Sequence, residues 1–193
     1  EVALTRRLAA QKMGRAEVVP PPGAFLQATP EGEAALLAGV REAVGDASHI
    51  VDLFAGCGTF ALPLAENARV HAVEGDKAMT VALDKGWRMA EGLRHVTSEA
   101  RDLFRNPLLP EDLHRFDAAV IDPPRAGAEA QVAELAAARI PRIAFVSCNP
   151  VTFARDASVL VAAGYTLDWL QVVDQFRWST HVELVAQLSL TDR

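Results

Sequence analysis

The sequence predicts an α/β fold: a mostly parallel, seven-stranded sheet with an antiparallel C-terminal strand and helices on both faces. Three observations carry that expectation. Short apolar runs, HIVDLF, RVHAVEG, HVTSE, FDAAVIDPP and RIAFVSCN, alternate with alanine- and leucine-rich stretches, the pattern of βαβ units. Two further runs, YTLDWLQVVDQF and THVELVAQLSL, follow each other with no room for a crossover helix, so they pair antiparallel. The first apolar run leads through a glycine-containing turn, Asp52-Leu53-Phe54-Ala55-Gly56-Cys57-Gly58-Thr59-Phe60, into a helical stretch, the place where such folds bring backbone close to a nucleotide.

Along the chain, residues 1–23 open with Arg6, Arg7, Lys12 and Arg15 and run into Pro20, Pro21, Pro22 and Gly23, which reads as a partly helical leading segment ending in a linker. Its basic cluster is either a nucleic-acid contact or, more plainly, a solvated helix face. From Thr29 a cap, Pro30 at the first helical position and Glu31 and Glu33 in the first turn precede Leu36, Leu37, Val40 and Val44 at helical spacing, predicting an amphipathic helix that ends near Gly45. Residues 24–193 then form one well-cored unit, as expected of 193 residues of which half are apolar.

Composition narrows the function. No stretch approaches the roughly 18 uninterrupted apolar residues of a membrane span, so a soluble, cytoplasmic chain is expected. Cys57 and Cys148 lie far apart and match neither a disulfide framework nor a metal-binding spacing. The formal net charge of -6 has the wrong sign for gripping a phosphate backbone unaided. The chain opens at Glu1 rather than at methionine, which fits either a missing upstream domain that carries the basic surface or processing of the start.

A lone G-x-G is weak, and the third glycine of the dinucleotide fingerprint is absent, which favours a ligand without a pyrophosphate. Glu74 ends the next apolar run sixteen residues after Gly58, where a carboxylate accepts the ribose hydroxyls of an adenosine-containing cofactor. The plainer alternative is an ordinary strand-to-helix turn at Gly56 and Gly58 with a solvated Glu74. Cys57 reads as a small residue in a tight turn. Asp102 falls where such folds approach the adenine ring, although a loop aspartate has many plainer roles.

Two later strand ends carry unusual chemistry: Asp122-Pro123-Pro124-Arg125-Ala126-Gly127 and Ser147-Cys148-Asn149-Pro150. The ligand crevice of an open α/β sheet lies outside those carboxyl ends. Pro150 starts a helix whose N-terminal partial charge is expected to favour a Cys148 thiolate; the plainer role is a buried cysteine acting as a small hydrophobe.

These residues resemble the S-adenosylmethionine-dependent RNA uracil-5-methyltransferases, which form 5-methyluridine in transfer RNA and 23S ribosomal RNA. The likeness runs from about residue 23 to the end: an F-x-Q element at Phe25 and Gln27, DLFAGCGTF, VEG, DPPRAG, SCNPVTFARD and a terminal HVE. It implies a Rossmann-like class I methyltransferase fold, Cys148 as the nucleophile that attacks the base, and Glu183 as the group that removes a proton. It further implies cofactor contacts at Gln27, Phe54, Thr59, Glu74, Asp102 and Asp122, beside Gly56 and Gly58 of the turn. For the substrate, Gln27 and Asp122 are expected on the polar edge of uracil, Phe25 or Phe176 on a flipped base, and Arg125 nearby. The family carries an upstream RNA-binding barrel, and some members an iron-sulfur cluster on upstream cysteines. A monomer that binds RNA weakly by itself is expected, with no metal.

The chain departs from the family pattern at Gln27-Ala28-Thr29, where an asparagine often follows, and at Phe176-Arg177-Trp178-Ser179-Thr180-His181, where a proline and threonine usually precede HVE. His181 lies two residues before Glu183 and on the same strand face, so it either orients the glutamate or is structural. Two rival functions stay open: a non-covalent methyltransferase of a small molecule or DNA base, suggested by net acidity and by DPPR, and a non-catalytic cofactor-fold module that assists RNA binding.

Overall fold

Residues 9–190 are described by a computed structural model. Their elements, in chain order, are β1 (Gln11–Met13), β2 (Ala16–Val18), α1 (Pro30–Val44), β3 (His49–Leu53), α2 (Ala61–Leu64), β4 (Arg69–Glu74), α3 (Lys77–Met89), β5 (Val96–Ala100), α4 (Pro110–Leu113), β6 (Ala118–Ile121), α5 (Glu129–Ala138), β7 (Arg142–Ser147), α6 (Pro150–Ala162), β8 (Tyr165–Val173) and β9 (Glu183–Leu190). The main sheet has seven strands in the order β5-β4-β3-β6-β7-β9-β8. β3, β4, β5, β6 and β7 pair parallel, while β9 pairs antiparallel with both β7 and β8. The sheet expected from the alternating apolar runs is present, and its one reversed strand is the C-terminal one.

The central strands are buried on both faces, which is why they read as continuous apolar runs. On one face Ile50, Val70, Val120 and Val146 pack with Leu36 and Val40 of α1 and Leu83 of α3. On the other, Val51, Ile121 and Phe145 pack with Leu113, Val132, Leu135 and Leu160 of the later helices. Helix α1 starts where its sequence signals predict. The Thr29 side chain accepts the Gly32 N–H, Pro30 occupies the first turn, and Gly45 with φ 58° closes the helix.

The leading segment differs from its sequence reading. Residues 11–18 form an antiparallel hairpin rather than a helix, and Met13, Ala16 and Val18 are buried in the core. Alternation of period two in K-M-G-R-A-E-V is the pattern of a strand with one face covered. Burial of those apolar side chains against α3 decides the outcome. Gly86 of α3 makes room for the hairpin, since a Cβ there would lie 2.6 Å from a Val18 methyl. Of the basic cluster, Lys12 and Arg15 are exposed, while Arg6 and Arg7 lie outside the described residues.

Gly39 lets α1 sit close to β9: a Cβ there would fall 2.7 Å from one Val185 methyl carbon and 3.0 Å from the other. On an exposed helix, glycine to alanine gains up to about 1 kcal/mol; here it overpacks against a stiff β-branched side chain at a cost of about 1–3 kcal/mol. Gly39→Ala is therefore expected to lower the midpoint of thermal unfolding by several degrees. A midpoint equal to or above that of the unsubstituted protein would show that Val185 yields instead.

Candidate functional site

The carboxyl ends of β3, β4, β6 and β7 open into one cavity of about 450 Å³, a volume within the range of small-molecule pockets. It is lined by Phe25, Gln27, Phe54, Gly56, Thr59, Glu74, Asp102, Asp122, Arg125, Cys148 and Glu183, with Met79, Leu103 and Phe104 among the apolar lining. Of the site residues expected from the sequence, Gly58 and Phe176 do not line this cavity. Gly58 has φ 98°, and a Cβ there would lie 2.9 Å from the Leu62 side chain, so it shapes the turn from the packed side.

The turn after β3 is held from β4. Glu74 accepts the Gly56 N–H through one carboxylate oxygen and the Asp76 N–H through the other, both at 2.9 Å. Gly56 has φ 55° with nothing within 4 Å of the Cβ it lacks, leaving open space for a ligand. Phe54 also takes a positive φ, 62°, a strained choice for a bulky residue, and its ring lies 5.4 Å from that of Phe104. Asp102 spends one oxygen on the N–H groups of Phe104 and Arg105. Its contribution to the loop is thus to orient Phe104, an aromatic residue the sequence reading did not single out.

Sheet register brings Cys148 and Glu183 together. β7 and β9 run antiparallel with Ser147 opposite Leu184; carried one residue further, the same register sets Cys148 opposite Glu183. Because β9 is reversed, its first residue arrives at the edge where the parallel strands end. Asp122 follows the neighbouring β6 and completes the group. The loop that carries it is fastened to α6. Asn149 Nδ2 and Thr152 Oγ1 both donate to the Arg125 carbonyl, Arg155 donates to that of Ala126, and buried Asp156 accepts the Ala128 N–H at 2.7 Å. The polar residues of NPVTFARD are therefore the clamp on DPPRAG.

Electrostatics at this edge is set by carboxyl groups withdrawn from water. Burial and the neighbouring charge of Glu183 push Asp122 up to about 7. Burial pushes Glu183 up to about 6, opposed by a hydrogen bond from Gln175. Beneath them Asp52 of β3 is fully buried, and burial followed by the charge of Asp122 raises it well above the usual carboxylate range, against a backbone hydrogen bond from Ala61. The Cys148 thiol is also pushed up, by burial first and then by Glu183 and Asp122, with Arg125 opposing. This overturns the expectation of a thiolate favoured by α6. The helix starts at Pro150 as predicted, but desolvation and two carboxylates outweigh its terminus.

The residues around His181 also differ from the sequence reading. His181 lies in the connection before β9, where its Nδ1 is 3.3 Å from Arg125 Nη1 and its ring stands edge-on to Phe176. Gln175, which the sequence reading passed over, is the side chain that reaches Glu183. Phe25 is 71% exposed at the cavity edge, whereas Phe176 is half-buried and outside the lining. Among the described residues no cluster suited to a metal ion occurs, and no helix is long and apolar enough to cross a membrane.

Raised carboxyl groups make stability fall as pH rises. Between the ordinary values of 3.8 and 4.5 and the folded values of about 7 and 6 for Asp122 and Glu183, the folded chain binds more protons than the unfolded one. The stabilisation is complete below the ordinary values and is lost through the folded ones. Asp122→Asn and Glu183→Gln are each expected to raise the unfolding midpoint at pH 8 and to flatten its decline between pH 5 and 8. A midpoint indifferent to both substitutions would show these groups to be ordinarily ionised.

A tRNA (uracil-5-)-methyltransferase family model matches residues 21–190. An uncharacterised RNA methyltransferase of Rhizobium meliloti is 57% identical over 171 residues, covering 89% of this chain and 41% of the relative. A 23S rRNA (uracil(1939)-C(5))-methyltransferase of Colwellia psychrerythraea is 39% identical over 140 residues, covering 70% of this chain and 29% of the relative. The chain thus spans less than half the length of these curated relatives. The crystal structure of Pyrococcus abyssi tRNA (uracil-54, C5)-methyltransferase in complex with S-adenosyl-L-homocysteine superposes with a TM-score of 0.81 at 27% identity, covering 96% of this chain and 45% of that one. With a matching model over nearly the whole described chain, the chain belongs to the tRNA (uracil-5-)-methyltransferase family.

Proposed function

We propose that residues 24–193 are the S-adenosylmethionine-binding catalytic unit of an enzyme that methylates carbon 5 of a uridine in transfer or 23S ribosomal RNA through a covalent Cys148 adduct. The observation that carries this reading is the meeting of Cys148, Glu183 and Asp122 in one cavity. A nucleophile, a base and a buried carboxyl group converge there from three strands. The relatives' RNA methyltransferase names and the S-adenosyl-L-homocysteine bound by the Pyrococcus enzyme support the choice of cofactor and polymer.

The cavity suits an adenosine without phosphates. Glu74 stands at the ribose position of such folds, Phe54 and Phe104 offer ring faces, and Arg125 is the one basic residue among the lining. When bound, S-adenosylmethionine supplies an electrophilic methyl group on a sulfonium whose positive charge complements the surrounding carboxylates. Gln27, Phe54, Gly56, Thr59, Glu74, Asp102 and Asp122 are the residues assigned to hold it, with Gly58 acting through the shape of the turn.

Carbon 5 of uracil is a poor nucleophile. Once its proton has passed to water, the Cys148 thiolate adds to carbon 6 and turns the ring into an enolate; carbon 5 would then take the methyl group, with the bonding pair staying on the sulfonium sulfur, which leaves as a neutral thioether. After carbon 5 has gained the methyl group, Glu183 removes the proton left there; the electron pair re-forms the carbon 5 to carbon 6 double bond and expels Cys148. Only ionised Glu183 performs that step, so its activity falls as pH drops through about 6. Gln27 and Asp122, which line the cavity, are assigned to hydrogen-bond uracil, and Phe25 and Arg125 to meet the flipped nucleotide and its backbone.

Incubation with S-adenosylmethionine and RNA carrying 5-fluorouridine is expected to give a denaturation-resistant complex, since fluorine cannot leave as a proton. Cys148→Ala should form none, and Glu183→Gln should accumulate adduct on ordinary uridine RNA while turnover falls about 10²- to 10⁴-fold. Cys148→Ala that keeps activity would favour non-covalent methylation, and cofactor binding without adduct or turnover would favour a binding module. The chain's net charge of -6 predicts weak RNA binding by residues 1–193 alone. Tight, salt-sensitive binding in a filter assay would overturn that.

A further inference from the structure

Gln175 follows β8 and is 8% exposed. Its Nε2 donates to Gln27 Oε1 at 2.8 Å, and its Oε1 accepts the Thr29 N–H at 3.4 Å. It lies two residues beyond Val173, the partner of Glu183 in the sheet, and so comes near the Glu183 carboxylate. Gly32 of α1 leaves the space it occupies, because a Cβ there would lie 2.9 Å from the Gln175 Cβ and Cδ atoms. One buried amide thus joins the segment before α1 to the start of β9.

We propose that Gln175 is the positioning residue that fixes which end of Gln27 faces the cavity and holds Glu183 in place as the base. The proposal rests on reading the site as one that methylates uridine at carbon 5. The reasoning is a donor and acceptor count. A backbone N–H only donates, so Thr29 pins the oxygen end of the Gln175 amide, and its nitrogen end, which only donates, must point the other way. Gln27 meets that nitrogen with its own oxygen. Its remaining polar group, the Nε2 amide, is then a pure donor at the cavity wall.

A donor there matches a carbonyl oxygen. The carbon-4 carbonyl of uracil accepts from it; the carbon-4 amino group of cytosine presents a donor to a donor, leaving buried polar groups unpaired. The amide of Gln175 also lies beside the Glu183 carboxylate and opposes the upward push of burial there, favouring the ionised form needed to remove a proton. Gln175 therefore links choice of base to readiness of the base catalyst, without touching the substrate.

Two variants separate this role from a packing role. Gln175→Met keeps the volume and removes the amide. Gln175→Glu places a carboxylate against Gln27, so Gln27 must turn its nitrogen inward and show its oxygen to the cavity. The protein is labelled with ¹³C at glutamate carboxyl groups, and Glu183 is titrated by NMR in each form, assigned with Glu183→Gln. Methyl transfer to unmodified transfer RNA and 23S rRNA transcripts is followed from pH 5 to 8 and analysed as 5-methyluridine and 5-methylcytidine.

The Glu183 titration and the acid limb of the kcat profile are expected to move up by about one pH unit in both variants. In Gln175→Glu, kcat/KM for uridine should also fall roughly tenfold or more relative to Gln175→Met, with the preference over cytidine reduced. An unmoved Glu183 titration, or equal uridine preference in all forms, overturns the proposal. If the unsubstituted protein makes no 5-methyluridine on either transcript at RNA concentrations where a filter assay shows it bound, the functional reading fails, while the titration still decides whether Gln175 holds Glu183.

Discussion

Carboxyl groups with too little water are the constraint from which the chemistry of this site follows. Asp52, Asp122 and Glu183 come from β3, the end of β6 and the start of β9, and desolvation is the leading cause of the upward shift at each. Their closeness makes ionisation of one oppose ionisation of the next. The same surroundings push the Cys148 thiol up. A pocket arranged this way is poorly matched to an anion and well matched to a cationic ligand, whose charge compensates the carboxylates.

That arrangement requires a rigid frame, and the frame is built from side chains that do not enter the cavity. Asn149, Thr152, Arg155 and Asp156 on the first turns of α6 hold the backbone of residues 125–128. Gly127 has φ 78°, and a Cβ there would lie 2.5 Å from an Asp156 carboxylate oxygen, so the loop approaches the helix more closely than a side chain permits. The strand that leads into Cys148 and the loop that follows Asp122 are in this way one unit.

On the opposite rim the frame is a sheet effect. Because β9 is inserted between β7 and β8 and runs against both, the residue that begins it meets the residue that follows β7. Helix α1 covers this junction, close enough that Gly32 and Gly39 face Gln175 and Val185. The segment carrying Phe25 and Gln27 then reaches the cavity from the N-terminal side of α1, and the Gln27–Gln175 bond ties it to β8.

The sequence by itself determined the alternation of strands and helices, the capped start of α1 at Thr29, the reversed last strand and the residues gathered around the cavity. These are local signals: apolar periodicity, turn glycines, a cap and strand-end motifs are each contained in a few adjacent residues. Tertiary structure decided what depends on partners distant in the chain. Residues 11–18 became a hairpin because Val18 finds cover against Gly86, Gly58 turned toward Leu62 rather than the cavity, and Gln175 rather than His181 approached Glu183. The Cys148 thiol is pushed up for the same reason. A helix terminus is visible in the chain around Pro150, whereas the burial and the carboxylates that outweigh it exist only once β6, β7 and β9 lie side by side.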